Sequence, residues 1–467
     1  MSNNFDVIIV GAGPGGYVAA IRGAQLGLKI AIIDKAEVGG VCLNWGCIPS
    51  KNLIHQAEVF SSLTEMEGVG VKVDRRAFNY ASVQEKSRAV VSTLTNGVKG
   101  LLKKNKITLI QGKATLCKKD TVSVEHEGTT SEYNAKNIML ATGSRPTQVA
   151  GFEFDEKQIL SSTGILSLTT LPKSLVILGA GAIGCEFAYV MNAFGVKVTL
   201  IEAQSHILPS EDGEVCALLH KDFLHQGIDI KLETRAIKTE KNDDSVNVTI
   251  QKADGTQEAI KAEKVLAVFG RKPNTESLGL DKVGVKLDAR GFIEVYDYCQ
   301  TNVAGVYAIG DITPSPALAH VASWEGELAI EHMAGMTRPE PKIDHDKVPS
   351  AIYCEPQVAG FGLREEDAEK QKLKINKSVF KYAGAGKTIA IGKTNGIVKI
   401  LTDQSSGEIL GAHIVGHNAT ELIHQLLQAK SAELLAEDLM EVVFAHPTIS
   451  EAILEATRGL KNQAIHA

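Results

Sequence analysis

Apolar and polar positions follow the same order in two separate stretches of the chain. In the first stretch, residues 5–10 form an apolar run that leads into a glycine-rich turn, a small-residue segment and a second apolar run over residues 29–33. Residues 175–178 and 197–201 are the apolar runs of the second stretch, which has the same order. Short apolar runs bounded by turn residues predict buried strands, and the longer segments between them predict helices. The two helices are predicted over residues 17–26 and 185–194.

The turn in each unit carries the pattern G-x-G-x-x-G, at residues 11–16 and 179–184. The first glycine of this pattern allows a sharp exit from the strand, the second lets the backbone approach a pyrophosphate, and the third lets the helix pack closely on the sheet. Asp34 and Glu202 each lie 23 positions after the first glycine, where we expect them to accept hydrogen bonds from ribose hydroxyls. One such pattern is weak evidence, but two complete strand–helix–strand units predict two dinucleotide sites.

The residues after Glu202 indicate which nicotinamide dinucleotide the second unit binds. They are Ala203, Gln204 and Ser205, which supply no cation. Because the carboxylate of Glu202 would repel a 2′-phosphate, NAD is favoured over NADP. Two sites imply two different dinucleotides, and the first unit is therefore predicted to bind FAD.

Helical and extended patterns alternate through the rest of the chain. The helices are predicted over residues 53–66, 81–104, 420–427, 432–443 and 450–457. The strands are predicted over residues 106–110, 121–126, 137–140, 388–391 and 397–401.

Composition is typical of a globular α/β protein. The 467 residues are 44% hydrophobic and 22% charged, and a chain of this length is expected to form about three domains. The net charge of −6 and the lack of a basic segment argue against nucleic acid as a partner. No apolar run reaches the roughly 20 residues needed to cross a bilayer, and residues 1–11 lack the basic start of a targeting peptide. We therefore expect a cytoplasmic enzyme with no membrane partner.

The seven cysteines are too few and too scattered for a disulfide scaffold. Cys42 and Cys47 lie close together in a glycine-rich segment, and such a pair in a cytoplasmic protein is more often catalytic or metal-binding than structural. The other five are expected to be small buried hydrophobic residues; they are Cys117, Cys185, Cys216, Cys299 and Cys354.

The spacing of Cys42 and Cys47 constrains the local backbone. Two residues five apart on a regular helix are too far separated for a disulfide, which needs Cα atoms roughly 4.4–6.8 Å apart. We therefore expect Cys42 to precede regular helix, Gly46 to let the chain close up, and Pro49 to occupy the first helical turn. Cys47 would then lie near a helix N-terminus, where the dipole stabilises its thiolate. A redox disulfide is the favoured interpretation, over a zinc half-site that lacks further cysteine ligands and over two unrelated thiols.

His446 and Glu451 form a candidate acid–base pair near the end of the chain. An imidazole has a pKa suited to taking a proton from a thiol, and a carboxylate on the following turn can hold one ring nitrogen. The same segment is equally typical of a loop with a capping Thr448 and an acidic first helical turn. From the motif alone, both interpretations stay open.

Five segments, together with the two nucleotide patterns, resemble the flavin-dependent disulfide reductases, the class I pyridine nucleotide-disulfide oxidoreductases. The resemblance spans essentially the whole chain. The segments are Gly-Gly-Val-Cys-Leu-Asn-Trp-Gly-Cys-Ile-Pro-Ser-Lys at 39–51, Ala-Thr-Gly-Ser-Arg-Pro at 141–146, Tyr-Ala-Ile-Gly-Asp at 307–311, Ala-Leu-Ala-His at 317–320 and His-Pro-Thr-Ile-Ser-Glu at 446–451.

The resemblance implies an activity and a set of partners. The activity is the oxidation of protein-bound dihydrolipoamide to lipoamide with reduction of NAD+ to NADH, through FAD and an active-site disulfide. The implied partners are a second copy of the chain and the lipoyl-bearing acyltransferase subunits of 2-oxoacid dehydrogenase complexes. Two alternatives stay open: a reductase for another small disulfide, and a non-reductase flavoprotein that carries electrons.

The implied fold is α/β, with two Rossmann-like dinucleotide-binding domains, for FAD and NAD, and a C-terminal α+β dimerisation domain. The expected boundaries are 1–148 for the FAD-binding domain with the redox disulfide, 149–271 for the NAD-binding domain, 272–346 for a central domain that completes the FAD site, and 347–467 for the dimerisation domain.

The resemblance also implies roles for individual residues, and no metal ligand is among them. The implied catalytic residues are Cys42, Cys47, His446 and Glu451. Those implied at FAD are Gly11, Gly13, Gly16, Asp34, Lys51, Ala114, Thr142, Gly143, Ser144, Asp311, Ala317, Leu318, Ala319 and His320. Those implied at NAD are Gly179, Gly181, Ile183, Gly184, Glu186, Glu202, Ala236 and Gly270, with Glu186 expected to pair with Lys51.

Four positions depart from the family's usual pattern without removing a reacting group. Val41 stands where threonine is common, Trp45 where a smaller residue is common, Val321 where lysine is common, and Phe444 where many members carry a second histidine. We expect these positions to affect flavin potential or substrate access. Three related classes of enzyme fit less well. A mercuric reductase should have a further cysteine pair near its end, but no cysteine follows Cys354, and a soluble transhydrogenase should lack the Cys pair that is present here. A glutathione-type reductase should favour NADP, which Glu202 disfavours.

Overall fold

The computed structural model describes residues 3–466, so that Met1, Ser2 and Ala467, which bound the first and last expected domains, lie outside the described residues. The chain divides into two compact units. Of the described residues, the first unit comprises 3–52, Ser82–Thr147 and Gly270–Ile343, and the second comprises Leu53–Ala81, Gln148–Phe269 and 344–466.

A seven-stranded sheet forms the centre of the first unit. Its central strand Asn4–Val10 is flanked on both sides by parallel partners, and Val7, Ile8 and Ile9 are fully buried, as expected for a strand covered on both faces. In spatial order, six of the strands are Thr108–Gln111, Ile30–Asp34, Asn4–Val10, Thr129–Leu140, Thr121–His126 and Lys113–Lys118, and Val306–Ala308 also pairs with Thr129–Leu140.

Two helices of the first unit cross at glycine positions. A Cβ on Gly15 would lie 2.7 Å from the backbone oxygen of Ala322, and a Cβ on Gly326 would lie 2.6 Å from that of Gly15. Only glycine permits this approach between helix Pro14–Gln25 and helix Ala319–Met333. The crossing brings the starts of both helices near the carboxyl end of strand Asn4–Val10. A two-stranded ribbon of Ser144–Pro146 and Arg271–Pro273 completes the unit's strands.

The second unit repeats the strand–helix–strand arrangement in a five-stranded parallel sheet. Its strands in spatial order are Asp229–Lys231, Lys197–Ile201, Ser174–Leu178, Lys264–Ala267 and Ile159–Leu160. The repeat predicted from the sequence is therefore confirmed. The helices after the two glycine-rich turns begin at Pro14 and Ala182, three residues earlier than predicted, because the last glycine of each turn already has helical backbone.

Two further sheets belong to the second unit. Strands Thr234–Lys241, Val246–Lys252 and Gln257–Ala262 form an antiparallel meander, whose buried Val246, Val248 and Ile250 pack on the parallel sheet. The last part of the chain forms a five-stranded antiparallel sheet with helices on one face, which is the expected α+β arrangement. The strands of this sheet in spatial order are Ser350–Ile352, Gln357–Gly362, Ile409–Gly416, Ile397–Asp403 and Ile375–Lys381.

Along the chain, most of the helices connect these strands. Within residues 3–466, the α-helices are Pro14–Gln25, Gly40–Trp45, Cys47–Gly68, Tyr80–Lys104, Ser162–Leu166, Ala182–Ala193, Gly213–His225, Leu280–Val283, Ala319–Met333, Glu365–Gln371, Gly386–Ala390, Ala419–Ser431, Ala436–Met440 and Glu451–Gly459. The 3₁₀-helices are Asp297–Cys299, Gly310–Ile312, His345–Lys347 and Tyr382–Gly384. None of the helices over residues 3–466 has the length and apolar content needed to cross a membrane.

Two local predictions in the last region are wrong. The strand predicted over residues 388–391 is the short helix Gly386–Ala390, because the Thr388 hydroxyl donates to the backbone oxygen of Ala385 at 2.8 Å, a bond typical of a helical turn. The helix predicted over residues 432–443 is reduced to Ala436–Met440, because Glu433 has a φ of 58° and interrupts it.

Candidate redox and nucleotide sites

The cysteine pair lies on two helices that are separated by one residue. Cys42 lies in helix Gly40–Trp45 and Cys47 begins helix Cys47–Gly68. Gly46 between them has φ −150° and ψ −112°, which is outside the helical range. The expectation that Cys42 precedes regular helix is therefore wrong, since this residue is itself in a short helix. The expected break at Gly46 and the expected helix start at Cys47 are both present.

The thiols of Cys42 and Cys47 interact directly with each other. A hydrogen bond with Cys47, together with burial, raises the pKa of Cys42, although the ammonium of Lys51 acts in the opposite direction. Cys47 lies at a helix N-terminus, which favours a thiolate. We therefore expect the reduced pair to hold its proton on Cys42 and its negative charge on Cys47.

The segment that carries the cysteines packs directly against the first glycine-rich turn. The N–H of Gly39 donates to the backbone oxygen of Ala12 at 2.8 Å. A Cβ on Gly40, whose φ is +57°, would lie 2.8 Å from the Cα of Gly13. The cysteine helix is thus fixed to the turn that is predicted to bind a pyrophosphate.

Side chains of the same unit hold the short cysteine helix in place. Asn44 donates through Nδ2 to the backbone oxygens of Val38 and Gly40 at 3.0 and 2.9 Å. Arg88 donates through Nη1 to the backbone oxygen of Asn44 at 2.6 Å, and its guanidinium lies 4.5 Å from the ring centre of Trp45. Trp45, one of the departures from the family pattern, is therefore stacked under an arginine while 40% of it stays exposed.

The packing of the first turn shows two of the three roles predicted for its glycines. Gly11 has a φ of +112°, and a Cβ there would lie 2.2 Å from the backbone oxygen of Ala141. A Cβ on Gly16 would lie 1.9 Å from the oxygen of Gly11, whereas a Cβ on Gly13 would meet nothing within 4 Å. The first and third glycines are thus required by packing, and the second borders open space that suits a phosphate.

The second turn has nearly the same geometry. Gly179 has a φ of +106°, and a Cβ there would lie 2.7 Å from the backbone oxygen of Val268. A Cβ on Gly184 would lie 1.9 Å from the oxygen of Gly179, and a Cβ on Gly181 would meet nothing within 4 Å. Ile183 lies between these glycines in the first turn of helix Ala182–Ala193.

Asp34 and Glu202 hold the two glycine-rich turns through backbone amides. Asp34 accepts the N–H of Ala12 at 2.6 Å, and Glu202 accepts the N–H of Ala180 at 2.8 Å. Each carboxylate also accepts the N–H two residues further along the chain, at 2.8 and 2.9 Å respectively. A carboxylate has about four acceptor positions, so that two remain on each residue for ribose hydroxyls.

A cavity of about 290 Å³ opens at the carboxyl ends of the first unit's parallel strands. This is where α/β sheets bind nucleotides. Gly11, Asp34, Ala114 and Thr142 line it, so four residues predicted from distant segments are brought together. The Thr142 hydroxyl donates to the backbone oxygen of Asn274 at 2.8 Å, which fixes the wall of the cavity beside Gly143.

Ser144 and Asp311 form a hydrogen-bonded pair, and Arg271 completes it. The Ser144 hydroxyl donates to Oδ2 of Asp311 at 2.5 Å. Arg271 donates through Nε to the Ser144 hydroxyl at 2.6 Å, and this Nε lies 3.7 Å from Oδ2 of Asp311. Burial lowers the pKa of Arg271, although the charges of Asp311 and Cys47 favour its protonated form. The charge of Arg271 therefore interacts both with Asp311, a predicted FAD contact, and with Cys47.

The segment around Ala317 to His320 is organised by a buried carboxylate. Glu325 is 3% exposed, and burial raises its pKa. It accepts the N–H of Gly310 at 2.6 Å and the hydroxyl of Ser315. Leu318 caps helix Ala319–Met333, and the first N–H groups of a helix have no acceptor within it. The contact of the amides at 317–320 with the electron-accepting end of the flavin, which the resemblance implies, stays a prediction.

The remaining predicted nicotinamide contacts lie in several segments. Glu186 is 5% exposed and accepts the N–H of Tyr353 at 3.2 Å, and its pairing with Lys51 stays a prediction. Ala236 lies two residues after Thr234, whose N–H donates to the backbone oxygen of Glu202 at 2.9 Å. Gly270 has a φ of +114° and belongs to the first unit.

His446 and Glu451 form the predicted pair at the start of helix Glu451–Gly459. Nδ1 of His446 lies 3.0 Å from Oε1 of Glu451, and the Thr448 N–H donates to Oε2 at 2.9 Å. These two contacts lower the pKa of Glu451. The histidine side chain is 75% exposed, so its other nitrogen is open to a reactant. The pairing is the arrangement needed for a thiol base.

Most of the chain matches a single protein family. Residues 5–326 match the family described as pyridine nucleotide-disulphide oxidoreductase. The chain belongs to this family. Residues 348–457 match the family's dimerisation domain, which supports a homodimer. The α/β fold with Rossmann-like sheets and the C-terminal α+β domain are those of the family, and the chain is an oxidoreductase.

Several known proteins are similar over their full length. A dihydrolipoyl dehydrogenase from Rhizobium etli is 42% identical, with 100% of both chains covered. One from Geobacillus stearothermophilus is 40% identical over 99% of this chain and 97% of that protein. The crystal structure of LpdA from Mycobacterium tuberculosis superposes with a TM-score of 0.91 at 25% identity, covering 97% of this chain and 99% of that one. The flavoprotein disulfide reductase RclA from Escherichia coli gives 0.85 at 26% identity, covering 97% and 99%.

FAD and NAD are the cofactors of this oxidoreductase, and the residues present fit both. The first turn, with its open space at Gly13 and its cavity beside Asp34, suits FAD. The second turn, with Glu202 and no neighbouring cation in residues 203–205, suits NAD.

Sequence analysis missed Arg271 and Glu325, two residues that contact or lie beside the predicted FAD contacts. Arg271 follows Gly270 directly, so its position beside a predicted nucleotide contact was the available signal. Glu325 lies within an apolar helical stretch, where a buried carboxylate is itself unusual. Among the departures, Val321 is fully buried, where a lysine would place a charge in the core.

Proposed function

We propose that this chain oxidises dihydrolipoamide to lipoamide and reduces NAD+ to NADH. The observation that carries the proposal is the direct contact between the cysteine segment and the first nucleotide turn, made by Gly39 with Ala12 and by Gly40 with Gly13. A disulfide fixed against a flavin turn is suited to exchanging electrons with the flavin. The similarity to dihydrolipoyl dehydrogenases supports the choice of dithiol.

The proposed reaction begins at the oxidised cysteine pair. His446, held by Glu451, removes a proton from one thiol of dihydrolipoamide. The resulting thiolate attacks the sulfur of Cys42, which breaks the disulfide and leaves a thiolate on Cys47. The second substrate thiol then displaces Cys42 and releases lipoamide, so that two electrons and one proton remain on the cysteine pair.

The protein then stabilises the charge that it has accepted. The proton stays on Cys42, whose pKa is raised, and the negative charge stays on Cys47 at its helix N-terminus. When bound, FAD supplies the transfer of the electron pair from the thiolate to NAD+. Arg271 and Ser144 orient Asp311 for the flavin side chain.

The proposal extends to assembly and location. We propose that the four expected regions 1–148, 149–271, 272–346 and 347–467 have the roles given above, and that His446 acts on the disulfide of the partner subunit. Val443, three residues before His446, is 95% exposed in the single chain, which supports coverage of this surface by a second copy. Lipoyl-bearing acyltransferases of 2-oxoacid dehydrogenase complexes and a cytoplasmic location complete the proposal.

A steady-state assay with free dihydrolipoamide and NAD+ tests the proposed activity. We expect NADH formation that requires bound FAD and is abolished by Cys42→Ser. A control with NADP+ in place of NAD+ should give a much lower kcat/KM, because Glu202 repels the 2′-phosphate.

The two alternatives give different results. If the chain reduces another small disulfide, NADH will be oxidised by that disulfide while dihydrolipoamide is turned over negligibly. If it is an electron-carrier flavoprotein, anaerobic NADH will produce no long-wavelength charge-transfer absorption, because the cysteine pair does not take part. Either result would contradict the proposed function.

A further inference from the structure

Three side chains with metal-binding chemistry lie together in the second unit, and the proposed reaction uses none of them. They are Glu58, Glu355 and His417. One carboxylate oxygen of each glutamate and one ring nitrogen of the histidine lie within 4.8 Å of one another. The three residues are far apart in sequence, on a helix and on two separate loops, so no sequence motif could reveal the group.

Contacts from elsewhere in the second unit hold this group in position. Gln226 donates through Nε2 to the backbone oxygen of Glu355 at 3.0 Å. The buried Tyr382 hydroxyl donates to the backbone oxygen of His417 at 3.2 Å. The side chains of Glu355 and His417 are 20% and 21% exposed, so the donor atoms are partly enclosed but can be reached by an ion.

Two cationic groups already face the carboxylates of this group. His417 Nδ1 lies 3.4 Å from Oε1 of Glu355, and Lys393 Nζ lies 3.5 Å from the same oxygen. The hydrogen bond with Glu355 and the charges of Glu355 and Glu58 raise the pKa of His417, although burial acts in the opposite direction. A metal ion at this position would therefore take the place of a proton on His417 and would compete with Lys393 for Glu355.

We propose that Glu58, Glu355 and His417 bind one divalent transition-metal ion of the Zn²⁺ class. An imidazole with two carboxylates is a donor set that Zn²⁺ accepts, with water in the fourth position. Calcium and magnesium prefer all-oxygen sites, so the histidine argues against them. The site is separate from the redox chemistry, and it does not depend on the identity of the dithiol.

Lys393 gives the proposal a specific consequence. Its ammonium competes with a metal ion for Glu355, so its removal should strengthen metal binding. If the three residues formed only a structural ion-pair cluster, removing Lys393 would remove a favourable contact and would not strengthen zinc binding. The change in zinc affinity on removal of Lys393 therefore separates a metal site from a structural cluster.

Calorimetric titration of the oxidised FAD-containing protein with ZnCl₂ tests the proposal. The oxidised state is used because the reduced cysteine pair would itself bind zinc. We expect one Zn²⁺ per chain. Glu58→Gln and His417→Gln should each weaken binding by at least about tenfold, and Lys393→Met should tighten it by about two- to fivefold.

Matched controls separate loss of a ligand from loss of structure. His424→Gln removes an exposed histidine of the same unit and should leave the zinc affinity unchanged. Without zinc, Glu58→Gln should keep the melting temperature and the flavin content of the parent protein. With saturating zinc, the parent should melt at a higher temperature, and His417→Gln should show no such increase.

Three results would overturn the proposal. One is the lack of a one-per-chain binding event in the oxidised protein. Another is zinc binding of undiminished affinity in both Glu58→Gln and His417→Gln, which would place the ion elsewhere. The third is weaker zinc binding in Lys393→Met, which would show that the lysine supports the site and does not compete with the ion.

Discussion

Nδ1 of His446 lies 3.0 Å from Oε1 of Glu451, and the other oxygen of this carboxylate accepts the N–H of Thr448. The carboxylate thus fixes the ring and leaves Nε2 as the nitrogen that can accept a substrate proton. Glu451 acts through His446, so we class it as a positioning residue. His446, in the proposed reaction, touches the dithiol itself.

Replacing these two residues should give effects of different size. His446→Gln is expected to lower kcat for dihydrolipoamide oxidation by about 10²–10⁴, the usual contribution of a general base. Glu451→Gln keeps a hydrogen-bond acceptor but loses the charge, and we expect a smaller decrease of about ten- to a hundredfold. The loss in Glu451→Gln should fall on kcat and leave the KM for dihydrolipoamide little changed, because the carboxylate acts on the base and not on substrate binding. Equal losses of kcat in the two variants would contradict the positioning role.

Acid should weaken the His446–Glu451 pair only below the usual range of a glutamate. The Thr448 N–H and the imidazole lower the pKa of Glu451 in the folded state. A lowered folded-state pKa gives stability that is present above the unfolded-state value and is lost as the pH falls through the folded-state value. NMR titration of the Glu451 carboxyl carbon should therefore give a midpoint below about 4.3, the reference value for glutamate. A midpoint at or above that value would show that the pair does not form.

Alanine substitutions at the third glycines should separate the two nucleotide sites. A Cβ on Gly16 or on Gly184 would lie 1.9 Å from a backbone oxygen, so each helix must shift. We expect Gly16→Ala to yield protein that is purified without flavin. Gly184→Ala should keep its yellow colour and its dithiol-induced charge-transfer band but lose at least tenfold in kcat/KM for NAD+.

The second glycines provide the matched controls for this experiment. A Cβ on Gly13 or Gly181 meets nothing within 4 Å, so both alanine variants should fold normally. Any loss of FAD or NAD binding in these variants would arise because the new methyl group contacts the bound dinucleotide, not because the protein is distorted. If Gly16→Ala retained FAD with unchanged affinity, the assignment of the first turn to FAD would be wrong.

The two cysteines should differ in their spectroscopic signature. With Cys47 as the residue that carries the thiolate, Cys42→Ser is expected to show a long-wavelength charge-transfer band at neutral pH even without substrate. Cys47→Ser should show none, because burial still raises the pKa of Cys42 when the partner thiol is removed. Absorption spectra at equal flavin content test this, and a band in Cys47→Ser alone would reverse the two assignments.

Features that depend on residues close together in the sequence could be predicted from the amino-acid sequence alone. The two glycine-rich turns, the helix start at Cys47 and the His446–Glu451 pair each depend on spacing within a few residues. The α/β units follow from apolar periodicity, because buried parallel strands are nearly continuous apolar runs.

Contacts between distant segments could not be predicted in this way. Arg271 reaches Ser144 across 127 positions, and Glu58, Glu355 and His417 meet from three segments. The meander of residues 234–262 is not among the predicted strands, because its many charged residues mask the alternation of its more and less buried positions. The short helix Gly386–Ala390 differs from the predicted strand because the apolar Ile389 and the following Ile391 remain exposed, at 58% and 38%, and belong to no buried strand.

A buried ion pair in the second unit gives the last prediction. Lys399 is 1% exposed and Asp212 is 0% exposed, and Nζ lies 3.0 Å from both carboxylate oxygens. Burial alone would raise the pKa of Asp212, but the charges of His413 and Lys399 lower it overall. Lys399→Met would leave the Asp212 carboxylate buried without this cation, and such a loss costs about 3–5 kcal/mol. We expect a matching decrease in the free energy of unfolding by urea, most of it restored when Asp212→Asn is added. If Lys399→Met lost less than about 1 kcal/mol, the pair would not stabilise the unit.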